Sequence, residues 1–244
     1  MGSTLDWSGS GDKRTKRAEY GGGGESRAVY IAPMRIREPV NAWSHLVGLI
    51  LATAGTAVLL RLARGTAQTA AFAVYGGSLI LLYAASTLYH ALPLPTHRLR
   101  PLRTLDHIAI YFLIAGTYTP VALVTLHSPA GLLLLGAAWA VAVAGIPFKI
   151  WWLDAPVWLS TGIYLAMGYM ALLAAAPLAA TVSVGGLAWL VAGGVAYTVG
   201  AIIFSRERPD PFPGVFGHHE IWHLLVLVGS GCHFTFMLLH VAMA

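Results

Sequence analysis

Seven long apolar runs, joined by short polar links, constrain the fold of this 244-residue chain more than any other feature. Each run is long enough for an α-helix to cross the roughly 30 Å hydrocarbon core of a bilayer. None shows the polar–apolar alternation expected of a barrel strand. The sequence therefore predicts an all-α, polytopic membrane protein, a bundle of seven transmembrane helices at 40–60, 69–92, 105–126, 130–151, 156–177, 182–204 and 217–241.

The charge content favours one membrane domain over a soluble enzyme with an anchor. Only 10% of the residues are charged and 57% are hydrophobic, whereas an average soluble domain is about 25% charged. The single cysteine, Cys232, excludes an intrachain disulfide. Residues 1–36 are polar and basic, so we expect a disordered cytoplasmic tail ahead of a membrane domain at 37–244.

The basic residues predict the orientation of the bundle. All but two of the 15 lysines and arginines lie in the tail and in the links on its side. The other side has only Arg61 and Arg64. The positive-inside rule then places the N-terminus in the cytoplasm and the C-terminus outside the cell (plasma) membrane. Because the links account for the net charge of +5, we expect no nucleic-acid partner.

Histidines and acidic residues gather at the predicted cytoplasmic ends of three helices. The second run ends in Ser-Thr-Leu-Tyr-His (86–90), the third begins with Leu-Asp-His (105–107), and the seventh begins with His-Glu-Ile-Trp-His (219–223). Residues four apart share a helix face, so His219 and His223 can point at one ion. Ionisable groups are costly in a membrane and mark functional sites. Three residues of the first helix lie at the same depth: Asn41, Ser44 and His45.

The histidines predict a metal site. We expect His90, His219 and His223 to bind Zn²⁺ and to leave a fourth position for water. Three protein ligands with an open position are typical of catalytic zinc, which can lower the pKa of bound water to about 7. The alternative is a set of histidines at the level of the lipid headgroups with no ligand role.

Two neighbouring residues are the predicted catalytic groups. Asp106 is expected to orient the water or to be a fourth ligand. Alternatively, its carboxylate could interact favourably with the dipole at the N-terminus of its helix, or pair with Arg103. Ser86, one turn from His90, is either a site hydroxyl or a helix-packing residue. Glu220 is interpreted as a supporting partner rather than as the base of a zincin-type site.

Three further histidines are given other roles. His107 and His218 are expected at the surface or in supporting positions. His233 lies about 15 Å deeper than His223, so we expect it to line a cavity or to bridge helices.

These motifs, with Glu-Pro-Val-Asn-Ala-Trp-Ser-His-Leu-Val-Gly at 38–48, resemble the hemolysin III branch of the progestin and adipoQ receptor family. That branch belongs to the wider alkaline-ceramidase-like membrane hydrolase superfamily, and the resemblance covers about residues 37–240. It implies seven helices, a cytoplasmic N-terminus and a zinc ion held by three histidines, with an aspartate and a serine near the water. Some relatives hydrolyse ceramide. Because the outer links are short, we expect no extracellular protein hormone as a partner.

The sequence thus predicts a zinc-dependent hydrolase of a lipid amide or ester, or a regulator of membrane lipid homeostasis, with a membrane lipid as its partner. The alternatives are a non-catalytic sensor or receptor with a structural zinc clamp, and a cytolytic pore of the hemolysin type. A pore needs a polar stripe along whole helices, whereas the polar groups here gather at one end. An intramembrane zinc protease would leave His90 and Ser86 unexplained, and a retinal protein needs a lysine that the seventh helix lacks.

Overall fold

The fold, seen in a computed structural model, is described for residues 36–243, so the predicted tail lies outside the described residues apart from its last position. Seven helices in this range are long and apolar enough to cross a membrane. Within 36–243 there is no β-strand, only an isolated bridge between Phe212 and Phe216. The predicted all-α bundle of seven spans is therefore confirmed. The helices are Pro39–Leu62 (α1), Gly65–Ala91 (α2), Thr96–Leu126 (α3), Pro129–Trp151 (α4), Val157–Thr181 (α5), Val184–Arg206 (α6) and His218–Ala242 (α7).

Contacts between helices define the two ends of the bundle. The starts of α1, α3, α5 and α7 meet the ends of α2, α4 and α6, as in the contact of Glu38 with His90. We call this the histidine end. At the other end, the distal end, the Gln68 amide of α2 donates a hydrogen bond of 2.8 Å to the Val241 carbonyl of α7.

The second helix lies in the interior and contributes several of the largest fully buried side chains. It packs between α1 and α3, while α7 packs between α1 and α6. Its side chains Phe72, Tyr75 and Tyr83 are almost completely buried. A Cβ atom at Gly48 of α1 would lie only 2.6 Å from the Tyr83 ring. A small residue here lets the two helices approach closely, as is common between membrane helices, and this places the end of α2 inside the bundle.

The third helix differs most from the prediction, because it begins at Thr96 rather than near residue 105. The stretch from Arg98 to Arg103, predicted to lie in a link, forms its first two turns. Hydropathy marks where the chain enters the apolar layer, not where the backbone becomes helical. These extra turns place the basic side chains at the histidine end on a rigid helix instead of a loop.

Three helices also contain irregular turns that the apolar pattern does not reveal. The last turns of α3 (Val121–Leu126) and α7 (Leu238–Ala242) are π-helical. In α5 a 3₁₀ segment, Met170–Ala174, interrupts the α-helix. Pro177 follows that segment, and its ring would clash with the carbonyl four residues earlier in a regular helix.

Candidate metal centre

Three imidazoles from two remote helices meet at the histidine end. His90 lies in the last turn of α2, whereas His219 and His223 lie in the first two turns of α7. Their potential ligand nitrogens are all within 4.8 Å of one another. The ring centroid of His90 is 5.1 Å from that of His219 and 4.7 Å from that of His223. The structure therefore brings together the three residues that were predicted as ligands.

The nitrogen atoms of this cluster are available to a ligand. His90 and His223 are almost fully buried, with 1% and 2% of their surface exposed. Neither Nε2 of His90 nor Nδ1 of His223 has a hydrogen-bond partner within residues 36–243. A buried polar atom without a partner is costly. A cation shared by the three rings would remove that cost, so the donor set fits a metal such as zinc.

Glu38, just before α1, fixes the orientation of His90. Its Oε2 atom contacts Nδ1 of His90, and its Oε1 atom forms an ion pair of 3.0 Å with Arg37. Burial would raise the pKa of Glu38, but His90, Arg37 and Asn41 outweigh burial and lower the pKa to about 2. An ionised carboxylate therefore holds Nδ1, and Nε2 of His90 faces the cluster. A carboxylate behind a histidine is the usual support for a metal ligand.

Both carboxylate oxygens of Glu220 make hydrogen bonds that hold the start of α7 in place. Its Oε2 atom accepts a hydrogen bond of 2.8 Å from the backbone N–H of Gly217, which caps the start of the helix. Its Oε1 atom accepts a hydrogen bond of 3.0 Å from the amide of Asn41 in α1. The same amide is 3.3 Å from Glu38. Asn41 thus links the supports of both histidine-bearing helices, and Glu220 has the supporting contacts that its interpretation requires.

The two predicted catalytic residues lie beside the cluster but outside it. The carboxyl group of Asp106 lies next to the Ser86 hydroxyl and within electrostatic range of His90. Asp106 does not belong to the group of mutually close ligand atoms. Arg103, the alternative partner, instead donates a hydrogen bond of 2.7 Å to Asp154. This position suits a residue that contacts water beside the cluster better than one that binds the ion directly.

A fourth imidazole, His45 of α1, stacks on the cluster. Its ring centroid is 3.9 Å from that of His223, and it is 3% exposed. Neither of its ring nitrogens has a partner in the described part of the chain. Sequence reasoning found its depth but not this contact. It also missed the contact of Glu38 with His90, although an acidic residue at the start of the first span was a signal for it.

The remaining histidines lie away from the cluster. His233 is deep in the bundle, where Nε2 is 3.2 Å from the Leu190 carbonyl of α6, which is a helix-bridging position. His218 packs against Phe204. His107 is half-buried, and its Nδ1 atom is covered.

Comparison with known proteins places all of these site residues in a matched region. A sequence model of the family described as "Haemolysin-III related" matches residues 34–234. The chain is 43% identical to Hemolysin-3 of Bacillus cereus over 208 residues, which cover 84% of this chain and 91% of that protein. It is 39% identical to the Hemolysin-3 homolog of Bacillus subtilis, covering 83% and 93%. A more distant relative is the human monocyte to macrophage differentiation factor, 26% identical over 83% of each chain.

Proposed function

Since this chain belongs to the Haemolysin-III related family, we propose that it is a zinc-dependent hydrolase of a lipid amide or ester. The observation that carries the proposal is the cluster of His90, His219 and His223, whose ligand atoms converge with nitrogens left free. The cluster lies at one end of a membrane bundle, the depth at which lipid headgroups and their carbonyl groups are found. A hydrolytic site there meets its substrate without extracting it from the bilayer.

In this proposal, one set of residues would hold the metal and another would orient the reactants. His90, His219 and His223 would hold the ion, and Glu38 would keep His90 in the tautomer whose Nε2 is free. Bound zinc supplies a Lewis acid that polarises a carbonyl and makes water more acidic. The polar histidine end would take the headgroup, and the acyl chain would lie between helices.

Asp106 and Ser86 are proposed to orient the attacking water. The Asp106 carboxylate would accept a hydrogen bond from that water, and the neighbouring Ser86 hydroxyl would steady the carboxylate. General base assistance of this kind contributes about 10² to 10⁴ in rate. Glu220 is not assigned this role, because both of its oxygens are used by Gly217 and Asn41.

The protein is proposed to lie in the plasma membrane with its histidine end in the cytoplasm. Arginines dominate that end, whereas the distal end has Arg61 and Arg64. A protease-sensitive tag at the N-terminus should be cleaved only after cells are permeabilised. Cleavage in intact cells would reverse the proposed orientation.

A second candidate is a non-catalytic regulator of membrane lipid homeostasis in which the metal clamps helices together. It is favoured by the contacts of Asn41 and Glu38, which tie α1 to α2 and α7 around the cluster. A structural metal contributes directly to folding. Chelation should then lower the thermal unfolding midpoint strongly, whereas a catalytic site would lose turnover with little unfolding.

Hydrolysis of defined lipids by purified, zinc-loaded protein tests the first candidate. We expect wild type and His218→Ala to release fatty acid from a lipid amide or ester, and His219→Ala to lose this activity. The two substitutions remove neighbouring imidazoles, but only His219 belongs to the cluster. If His219→Ala releases as much fatty acid as His218→Ala, or if wild type releases none, the hydrolase proposal fails.

A further inference from the structure

A cavity with several polar lining residues lies at the distal end, away from the histidine cluster. Its volume is about 420 Å³. The α1–α2 link, the α3–α4 link and the distal ends of α2, α3, α5 and α7 form its wall. Because six parts of the chain surround it, the cavity is the mouth of the bundle at that end rather than a groove on its lipid-facing side. Its polar lining residues are Arg64, Gln68, Thr125, His127, Thr181 and His240.

The charges around this cavity are one-sided. Arg64 lines it together with the imidazoles of His127 and His240, and among residues 36–243 no acidic residue lines it. Every carboxylate of the described residues lies at the histidine end. A cationic pocket without a counterion attracts anions, most strongly where an apolar wall excludes water. The carboxylates are Glu38, Asp106, Asp154, Glu207, Asp210 and Glu220.

The polar side chains of the wall differ in whether they have partners. The Oε1 atom of Gln68 accepts a hydrogen bond of 2.5 Å from the Arg64 backbone N–H, and its Nε2 atom donates to the Val241 carbonyl. Gln68 therefore fixes the backbone that carries Arg64. The Thr125 hydroxyl is buried in the wall and has no partner in residues 36–243.

The backbone of the wall is irregular where several of these polar side chains lie. Thr125 and His240 belong to the two π-helical turns at the ends of α3 and α7. Such turns make up well under 1% of residues and are frequent at functional sites. His127 follows with a φ of 40°, in the left-handed region that few non-glycine residues adopt. The Ser183 hydroxyl lies 3.1 Å from Nδ1 of His240, within hydrogen-bond distance, and so fixes the orientation of that ring.

We propose that this cavity binds a phosphate group. Arg64 presents a planar set of donors that matches phosphate oxygens, and the imidazoles of His127 and His240 line the same cavity. The site lies at the helix ends, where the phosphate can come from a phospholipid of that leaflet or from solution. This inference is independent of the proposed hydrolase site at the other end.

The test compares two arginines of the distal end in the full-length protein. Arg61 and Arg64 are both exposed, but only Arg64 lines the cavity. Arg64→Gln keeps the backbone N–H that binds Gln68, so its fold should be intact. The thermal unfolding midpoint is measured in neutral detergent with sodium phosphate, against sodium chloride at equal ionic strength. It is also measured in phosphatidylcholine nanodiscs with and without phosphatidylglycerol.

We expect phosphate to raise the midpoint saturably in wild type and in Arg61→Gln. In Arg64→Gln the apparent affinity should fall at least about tenfold, the loss of one hydrogen-bonded charge. If the same difference between the arginines appears only with phosphatidylglycerol, the phosphate belongs to a lipid headgroup. Equal losses in both variants would indicate diffuse surface attraction and would overturn the proposal, as would no rise in either medium.

Discussion

Glu38 precedes the first helix, yet it contacts a histidine at the end of the second. Its carboxylate occupies Nδ1 of His90 and leaves the buried Nε2 atom without a partner. The same glutamate is tied to Arg37 and to Asn41. A single residue therefore sets the tautomer and the direction of one proposed ligand, and its effect should appear in metal affinity before it appears in folding.

Replacing Glu38 by glutamine should weaken zinc binding about 10- to 100-fold, because partners behind a ligand contribute this much to affinity. Glutamine has nearly the same shape but lacks the charge that supports His90. Competition with a zinc chelator of known affinity measures the effect. Glu207→Gln is the control, since Glu207 is an exposed residue at the same end. Equal zinc affinity in both variants would contradict the role of Glu38.

At this scale the sequence predicted part of the centre. The four-residue spacing of His219 and His223 predicted that they share one helix face. The predicted depth of His90 in the membrane matched theirs, and so His90 was predicted as the third ligand. The contacts of Glu38 with His90 and of His45 with His223 could not be predicted. They depend on how each helix is rotated about its axis, and the weak polar–apolar asymmetry of these helices does not fix that rotation.

Among the helices, the approach of α1 to α2 and α7 determines whether the centre can form. Gly48 lies where a Cβ atom would be 2.6 Å from Tyr83 and 2.8 Å from Leu227. That contact is two turns or less from Asn41 and His45, which touch the supports and the rings of the centre. A larger side chain at this position would push α1 away from both partners.

Gly48→Leu should therefore destabilise the bundle by about 1–3 kcal/mol, the usual cost of an overpacked contact. A lower thermal unfolding midpoint in detergent is the expected result. The matched control is Gly136→Leu in α4, where a new side chain meets nothing within 4 Å. If both leucine variants unfold at the wild-type temperature, the close approach of α1 is not needed for stability.

Helix number and type were predictable from the sequence, because apolar runs of bilayer length leave few alternatives. Helix starts and irregular turns were not. The basic turns of α3 from Thr96 are too polar to register as a span, and the π-helical turns Val121–Leu126 and Leu238–Ala242 have ordinary apolar sequences.

In the whole molecule, the two ends of the bundle have different chemistry. The histidine end combines imidazoles with all of the described carboxylates, whereas the distal end has Arg64 and two imidazoles around a cavity. Between them, the interior is filled by Phe72, Tyr75 and Leu79 of α2, each at most 3% exposed. A filled interior with polar groups at its ends suits two separate sites better than a continuous aqueous pore.

The central claim is that histidines from two helices remote in sequence form one metal centre, and the zinc content of purified protein tests it most directly. We predict about one zinc ion per chain in wild type and in His97→Ala, whose exposed imidazole lies at the same end. His90→Ala should retain little zinc while keeping its helical circular dichroism. Equal zinc in His90→Ala and His97→Ala, or none in wild type, would contradict the account.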